Sequence, residues 1–206
     1  VEESWLVEHI VRASESCDIA IDIGANTGDV SRLLAERFRA VLAVEPDPRA
    51  FAELCGSVPK NVYCHNAAAT RKNGAVTLHM RPESVQSSLL YEHPIGAADQ
   101  ADAPVVESVG ANGETLDFLL FVARQRFGDF GRVFIKVDVE GAEGDVIGGA
   151  TDQAFSDAAW LIEVHDREVE VGLELQRLEY DGITITPHPM PGAHKKHFWI
   201  YAEPTE

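Results

Sequence analysis

Asp22-Ile23-Gly24-Ala25-Asn26-Thr27-Gly28-Asp29 follows a short apolar run, Ile19-Ala20-Ile21, and precedes an amphipathic one over 30–38. That order reads as strand, glycine turn, helix, the opening unit of a nucleotide-binding α/β fold. Thr27 is the expected N-cap, and Val30, Leu33, Leu34 and Phe38 keep helical spacing behind it. The next apolar run, Ala40-Val41-Leu42-Ala43-Val44, ends on Glu45. A carboxylate at the tip of a second strand can accept two hydrogen bonds from a ribose diol. A dinucleotide dehydrogenase needs G-x-G-x-x-G for close approach of a pyrophosphate. Counted from Gly24, the other two glycines would fall at Asn26 and Asp29. An aspartate there repels a pyrophosphate and is harmless to a cofactor without phosphates. The loop therefore favours S-adenosylmethionine over NAD.

Strand and helix patterns alternate along most of the chain. A leading amphipathic helix carries Trp5, Leu6, Ile10 and Val11, a helix over 48–56 follows the second strand, and 61–66 reads as the third strand. A short strand over 75–80 follows the Lys72-Asn73-Gly74 turn, and 105–109 is a candidate strand. Further expectations are a helix over 115–127, a strand over 133–139, a helix over 141–150, a strand over 160–165 and a helix over 169–178. Two late strands, 183–186 and 197–202, close the chain as an antiparallel pair. This is an α/β pattern: a Rossmann-like, mostly parallel sheet with helices on both faces and a C-terminal antiparallel hairpin. The 206 residues are read as a single domain, with 1–17 its N-terminal helix. Residues 81–104 show no period and are a candidate lid or substrate loop, in which Ser87 and Ser88 are ordinary loop serines.

The formal net charge of −17 argues against nucleic acid and anionic membrane as partners and leaves a small-molecule acceptor. Cys17, Cys55 and Cys64 have no CxxC spacing and are read as reduced, partly buried thiols of a cytoplasmic protein. No apolar run reaches the roughly 18 residues of a membrane span. The chain starts at Val1, so an upstream segment or removed leader stays open, as does the oligomeric state.

The run Val133-Phe134-Ile135-Lys136-Val137-Asp138-Val139-Glu140 breaks the expected pattern of a central strand. Period two puts Phe134, Lys136, Asp138 and Glu140 on one face, so three ionisable groups crowd the carboxyl end where such sheets hold ligands. His165 ends the run Leu161-Ile162-Glu163-Val164-His165, sharing a face with Leu161 and Glu163. An imidazole there can act as general base on a hydroxyl. Asp138, Glu140 and His165 are equally a candidate set for a divalent metal. His194 and His197 flank Lys195-Lys196 in an expected solvated turn, and Trp160, Phe198 and Trp199 are expected to fill the core.

Asp22 through Gly28, then Val44-Glu45-Pro46, then Thr115-Leu116-Asp117, then Lys136-Val137-Asp138-Val139-Glu140-Gly141-Ala142-Glu143 together resemble FkbM-like methyltransferases. The resemblance spans about 18–150, and the Lys136 to Glu143 run is its most specific part. It implies a class I enzyme that uses S-adenosylmethionine, with O-methylation of sugars or natural products as the reaction class. It also implies that Asp22, Gly24, Asn26 and Gly28 adjoin the methionyl part of the cofactor. Glu45 with Pro46 would meet the ribose, Asn66 and Ala67 the adenine, and Asp138 the cofactor ammonium or the incoming substrate. Strand-end asparagines such as Asn66 are also common turn residues. For catalysis the expectation is His165 first, then Asp138 or Glu140, directly or through a metal, with Lys136 beside them. Two other readings are a non-catalytic cofactor-binding module and a nucleotide-dependent oxidoreductase. The charged strand end argues against the first, and the missing glycines argue against the second.

Overall fold

The computed structural model describes residues 2–81, 89, 105–151, 158–165, 171–172, 174, 183–189 and 197–204. Ser87, Ser88, His194, Lys195, Lys196 and most of the helix expected over 169–178 lie outside them. Helix α1 (Glu2–Ser14) leads into strand β1 (Ile19–Ile23), helix α2 (Asp29–Ala35) and strand β2 (Ala40–Val44). Helix α3 (Pro48–Ser57), strand β3 (Val62–His65) and the two-residue strand β4 (Ala68–Ala69) follow. Strands β5 (Gly74–Met80) and β6 (Glu107–Glu114) precede helix α4 (Leu116–Phe127), strand β7 (Val133–Val137) and helix α5 (Glu143–Gly148). Strands β8 (Ala158–His165), β9 (Ile183–Pro189) and β10 (His197–Pro204) complete the order.

The main sheet has seven strands in the order β3-β2-β1-β7-β8-β10-β9. Its first five strands are parallel neighbours, and β10 runs antiparallel to both β8 and β9. This is the expected α/β architecture, including the late antiparallel pair. The apolar runs that suggest buried strands are buried throughout: β1, β2 and β7 present no exposed residue. Burial on both faces explains why these strands lack the alternation of a half-exposed sheet.

The two faces carry different helices. On one, Ile19, Ile21, Leu42, Ile135, Trp160 and Ile162 pack with Leu116, Leu119, Leu120 and Ala123 of α4 and with Val146 and Ile147 of α5. On the other, Ala20, Val41, Phe134 and Leu161 pack with Ile10 and Ala13 of α1 and with Leu34 and Phe38 beside α2. Leu54 of α3 packs on Ala25 and Ala43. No described helix is long and apolar enough to cross a membrane.

Several local expectations change. The N-cap of α2 is Gly28, in the left-handed region and without a side-chain cap, rather than Thr27. Thr115 does cap α4, accepting a hydrogen bond from the Phe118 N–H. Strand β6 is longer than the expected 105–109 and lies later, because Ser108, Gly110, Asn112 and Gly113 pair across to β5 in a separate three-stranded sheet with β4. Strand β7 stops at Val137, so Asp138 and Glu140 do not continue its alternation. Glu140 instead adopts φ 53°, a strained conformation for a residue with a side chain. Cys17 is buried, Cys64 half-buried and Cys55 exposed, and all three are free.

Gly24 joins the two turns that meet above β1 and β7. Its φ is +77°, and a Cβ there would sit 1.7 Å from the Asp138 carbonyl oxygen. The glycine is thus required by the neighbouring backbone, before any ligand is considered. Gly24→Ala is expected to destabilise the fold by at least about 2 kcal/mol, from left-handed strain and the backbone clash together. Urea unfolding reads this as a lowered midpoint; a midpoint equal to that of the parent would show that the two turns separate freely.

Candidate functional site

The sheet changes direction between β1 and β7, since β2 and β3 extend one way from β1 while β7 and β8 extend the other. Open α/β sheets bind ligands at the carboxyl ends beside such a switch point. An open cleft of about 650 Å3, mouth included, lies there. Gly24 and Asn26 line it from the first turn, Glu45 and Pro46 from the second, and Asp138, Val139, Glu140 and Ala142 from the turn after β7. Ala67, Ala68, Ala69 and Leu78 add an apolar wall. Of residues 82–104 only Leu89 is described, and it too lines the cleft.

Glu45 is nearly buried, and backbone amides hold both of its oxygens. The Asn26 N–H donates to Oε2 at 2.8 Å and the Asp47 N–H to Oε1 at 2.7 Å. Each carboxylate oxygen keeps a second lone pair that can accept from a ligand. Burial pushes the carboxyl pKa up to about 7, against the two amide donors that favour the charged form. Asn66, expected at the adenine, does not line the cleft. Its amide donates to the backbone oxygens of Glu45 at 2.8 Å and Pro46 at 3.4 Å, so it shapes the turn that carries them. Ala67 does border the cleft.

Four other expected cofactor or catalytic residues, Asp22, Gly28, Lys136 and His165, do not line the cleft. Asp22 is fully buried: its Oδ2 accepts from the Ser31 hydroxyl at 2.6 Å, and its Oδ1 pairs with Lys136 at 3.3 Å. Lys136, 2% exposed, also donates to the Gly24 carbonyl at 3.1 Å and to Asp138 at 3.3 Å. Burial acts to lower its pKa, but the Asp138, Asp22 and Glu163 charges outweigh burial and hold the ammonium above the usual lysine range. A lysine so committed positions its neighbours; it has no free lone pair for proton transfer. Gly28 is needed for packing, since a Cβ there would meet Leu54 at 2.8 Å and Val58 at 2.9 Å. Asp29 does not line the cleft either and pairs with Arg32 on the surface. What a pyrophosphate would meet at this loop is Glu45 and Asn26, not Asp29.

His165 is 2% exposed at the end of β8. Its Nδ1 lies 2.8 Å from Glu143 Oε1. Its Nε2 faces Glu163 at 3.6 Å, Glu140 at 3.9 Å and Asp138 at 4.0 Å. Burial acts to lower the imidazole pKa, yet the Glu143 hydrogen bond and the charges of Glu140, Glu143 and Asp138 raise it to about 10. A raised imidazole pKa works against the general-base role expected from its ordinary value near neutrality. Glu143 is fully buried and also accepts from the Gly141 N–H at 2.9 Å. Asp138, Glu163 and His165 offer ligand atoms all within 4.8 Å of one another. Glu163 therefore joins the expected metal-candidate set of Asp138, Glu140 and His165. Its signal in the sequence is the period of two that puts it on the His165 face; Glu143 had none beyond its place in the Lys136 to Glu143 run.

The sheet order and the cleft at its switch point are those of a methyltransferase-type α/β domain. The chain belongs to the Methyltransferase FkbM domain family, whose pattern matches residues 22–183. A methyltransferase FkbM from Methylobacillus flagellatus has a similar fold, with a TM-score of 0.59 at 17% identity. That likeness covers 91% of this chain and 44% of the other, so this chain spans less than half the length of that protein. An rRNA methylase from Streptococcus thermophilus aligns with a TM-score of 0.54 at 10% identity, covering 97% of this chain and 94% of that one. A candidate methyltransferase from Streptococcus mutans, solved in complex with SAH, aligns with a TM-score of 0.53 at 12% identity, covering 98% and 96%. No curated protein matches the sequence.

The surroundings of His165 predict a pH signature. Its folded pKa is raised to about 10, above an unfolded value near 6.5, so its contribution to stability is complete below about pH 6.5. That contribution is lost as pH rises through about 10. In chelated buffer the parent protein should lose more stability between pH 6.5 and 10 than His165→Gln does, as read from urea midpoints. Parallel pH curves for the two proteins would show that the four carboxylates do not favour the imidazolium.

Proposed function

We propose that this chain is an S-adenosylmethionine-dependent methyltransferase that methylates a hydroxyl of a small molecule such as a sugar or natural product. The observation that carries the reading is one cleft edged by Glu45 and Asn26 on one side and by Asp138 and Glu140 on the other. Glu45 takes the ribose hydroxyls through its remaining lone pairs. Gly24 and Asn26 adjoin the methionyl part, and Ala67 with Ala68, Ala69 and Leu78 receives the adenine. The whole chain is read as one methyltransferase domain, and Leu89, in the cleft wall, comes from the stretch expected to be a lid or substrate loop.

The cofactor supplies an electrophilic methyl on a sulfonium. The chain's own residues then have two tasks: to align an acceptor oxygen behind that methyl and to receive its proton. Alignment can lower the barrier by several kcal/mol, up to roughly 7–11 in favourable intramolecular systems. Asp138 and Glu140 are the carboxylates on the far side of the cleft from Glu45 and are assigned to receive the proton, a role worth about 10²–10⁴-fold. Lys136, Asp22 and Asn66 act by positioning. The formal charge of −17 favours a neutral or cationic small acceptor over nucleic acid or an anionic membrane. A non-catalytic cofactor-binding module explains the Glu45 side of the cleft and leaves the charged side without a purpose.

Calorimetry tests the reading. S-adenosylmethionine or its demethylated product should bind, and NAD should not bind measurably; tighter binding of NAD would overturn the assignment. Glu45→Ala should weaken cofactor binding by roughly tenfold to a few hundredfold, because hydrogen bonds to a charged acceptor are lost and water replaces part of them. Cofactor affinity of the parent should fall as pH drops through about 7, where Glu45 takes up a proton and loses acceptor strength, and Glu45→Ala should not show that fall. Equal dissociation constants for parent and folded variant would remove Glu45 from the ribose.

A further inference from the structure

We infer that Asp138, Glu163 and His165 form a binding site for one divalent metal ion at the edge of the cleft, with Glu143 orienting His165 from behind. The first ground is spacing. His165 Nε2 lies 3.6 Å from a Glu163 oxygen and 4.0 Å from an Asp138 oxygen, and all three ligand atoms fall within 4.8 Å of one another. Ligands each about 2.0–2.2 Å from a common ion lie about 3–4.3 Å apart, so this separation admits an ion between them with small side-chain movement. Glu140, whose oxygen is 3.9 Å from Nε2, can supply a further oxygen.

The second ground is the support behind the histidine. Glu143 accepts from Nδ1, which leaves Nε2 as the ligating nitrogen and fixes the ring plane. A carboxylate on the far nitrogen is the usual partner of a metal-bound histidine. Glu143 is itself fully buried, accepts from the Gly141 N–H, and has a second oxygen, Oε2, that is buried with no hydrogen-bond partner.

The third ground is charge. Asp22, Asp138, Glu140, Glu143 and Glu163 surround Lys136 and His165, leaving a formal excess of three negative charges beside a mostly buried region. Excess buried charge is costly unless it is paired. A divalent ion in place of the imidazolium proton lowers that excess by one and can be shared by several of the carboxylates at once. The ion takes the place of the Nε2 proton, which leaves to solvent. Two carboxylate oxygens and one imidazole nitrogen suit Mn²⁺ or Zn²⁺ better than thiophilic ions. Asp138 lines the cleft and its side chain is 29% exposed, so the site can be reached from the ligand's side. An ion here would lower the pKa of a coordinated acceptor hydroxyl. That use rests on the methyl-transfer reading; the binding itself does not.

The test uses the whole chain, stripped with chelator and then titrated with Mn²⁺ by calorimetry and electron paramagnetic resonance, without cofactor. The parent should bind one ion per chain in a saturable manner. Glu163→Gln keeps the shape of the side chain and should weaken binding by at least about tenfold. Asp138→Asn should do the same and serves if Glu163→Gln does not fold. Absence of saturable Mn²⁺ and Zn²⁺ binding to the folded parent would overturn the site, as would equal affinity in a folded variant. Calorimetry with S-adenosylmethionine on the stripped parent separates this claim from the functional one. Cofactor binding without metal binding overturns the site alone, whereas metal binding without cofactor binding supports the site and overturns the methyl-transfer reading.

Discussion

The buried ammonium of Lys136 is the constraint on which the cleft depends. It ties Asp22 on β1, the Gly24 carbonyl in the turn after β1, and Asp138 in the turn after β7. An isolated ammonium in such a place would be neutralised, and removing one partner of a buried ion pair typically costs about 3–5 kcal/mol. The two turns are therefore held at one separation. Gly24 makes that separation possible, because only a residue without a Cβ lets the Asp138 carbonyl approach so closely. The hydrogen bond from the Asp138 N–H to the Ile23 carbonyl, at 3.0 Å, continues the pairing of β1 and β7 to the same point.

From that junction the cleft divides into two electrostatic regions. On the β2 side, Glu45 is held by two backbone N–H groups and by a turn that Asn66 stitches together, so its carboxylate is set before any ligand arrives. On the β7 and β8 side, carboxylates from Asp138, Glu140, Glu143 and Glu163 converge on His165. Preorganised charge of this kind needs no reorganisation at the moment of reaction. Among the described residues, the two side-chain-bearing positions in the left-handed region, Glu140 at φ 53° and Asn26 at φ 47°, both fall at the cleft. Strain of that sort persists only where its surroundings impose it.

Local chemistry predicts some elements well and others badly. Strands β1, β2, β7 and β8 are legible because each is a mostly apolar run buried on both faces, with Asp22, Lys136, Glu163 and His165 as the ionisable exceptions. Helix α4 is legible from its apolar stripe, Leu116, Leu119, Leu120 and Ala123. Strand β6 is not, since Glu107-Ser108-Val109-Gly110-Ala111-Asn112-Gly113-Glu114 has turn composition and is strand only through pairing with β5 and β4. β-propensity depends more on such partners than on the residues themselves. The Asp138 to Glu143 turn misleads a period-two reading because the chain leaves the strand at Val137, and Glu140 takes a conformation no local rule favours.

The sequence by itself determined the alternation of elements, the glycine turn after β1, the acidic tip of β2 and the concentration of charge after β7, because each follows from contiguous residues and their spacing. Gly24, Glu45, Asp138 and Glu140 were legible as cleft residues for that reason, whereas Asn26, Pro46 and Ala67 were expected there only from the resemblance to FkbM-like methyltransferases. Only the tertiary structure decided which charges meet. Lys136 and Asp22 lie on neighbouring strands, and Glu143 and Glu163 approach His165 from different elements. The character of His165 followed from that meeting. Its ordinary pKa suggests a base, but a buried site with four carboxylates within 4.0 Å makes the protonated ring the stable form. A side chain's charge state is set by its three-dimensional neighbours and its distance from water, and neither is written in local sequence.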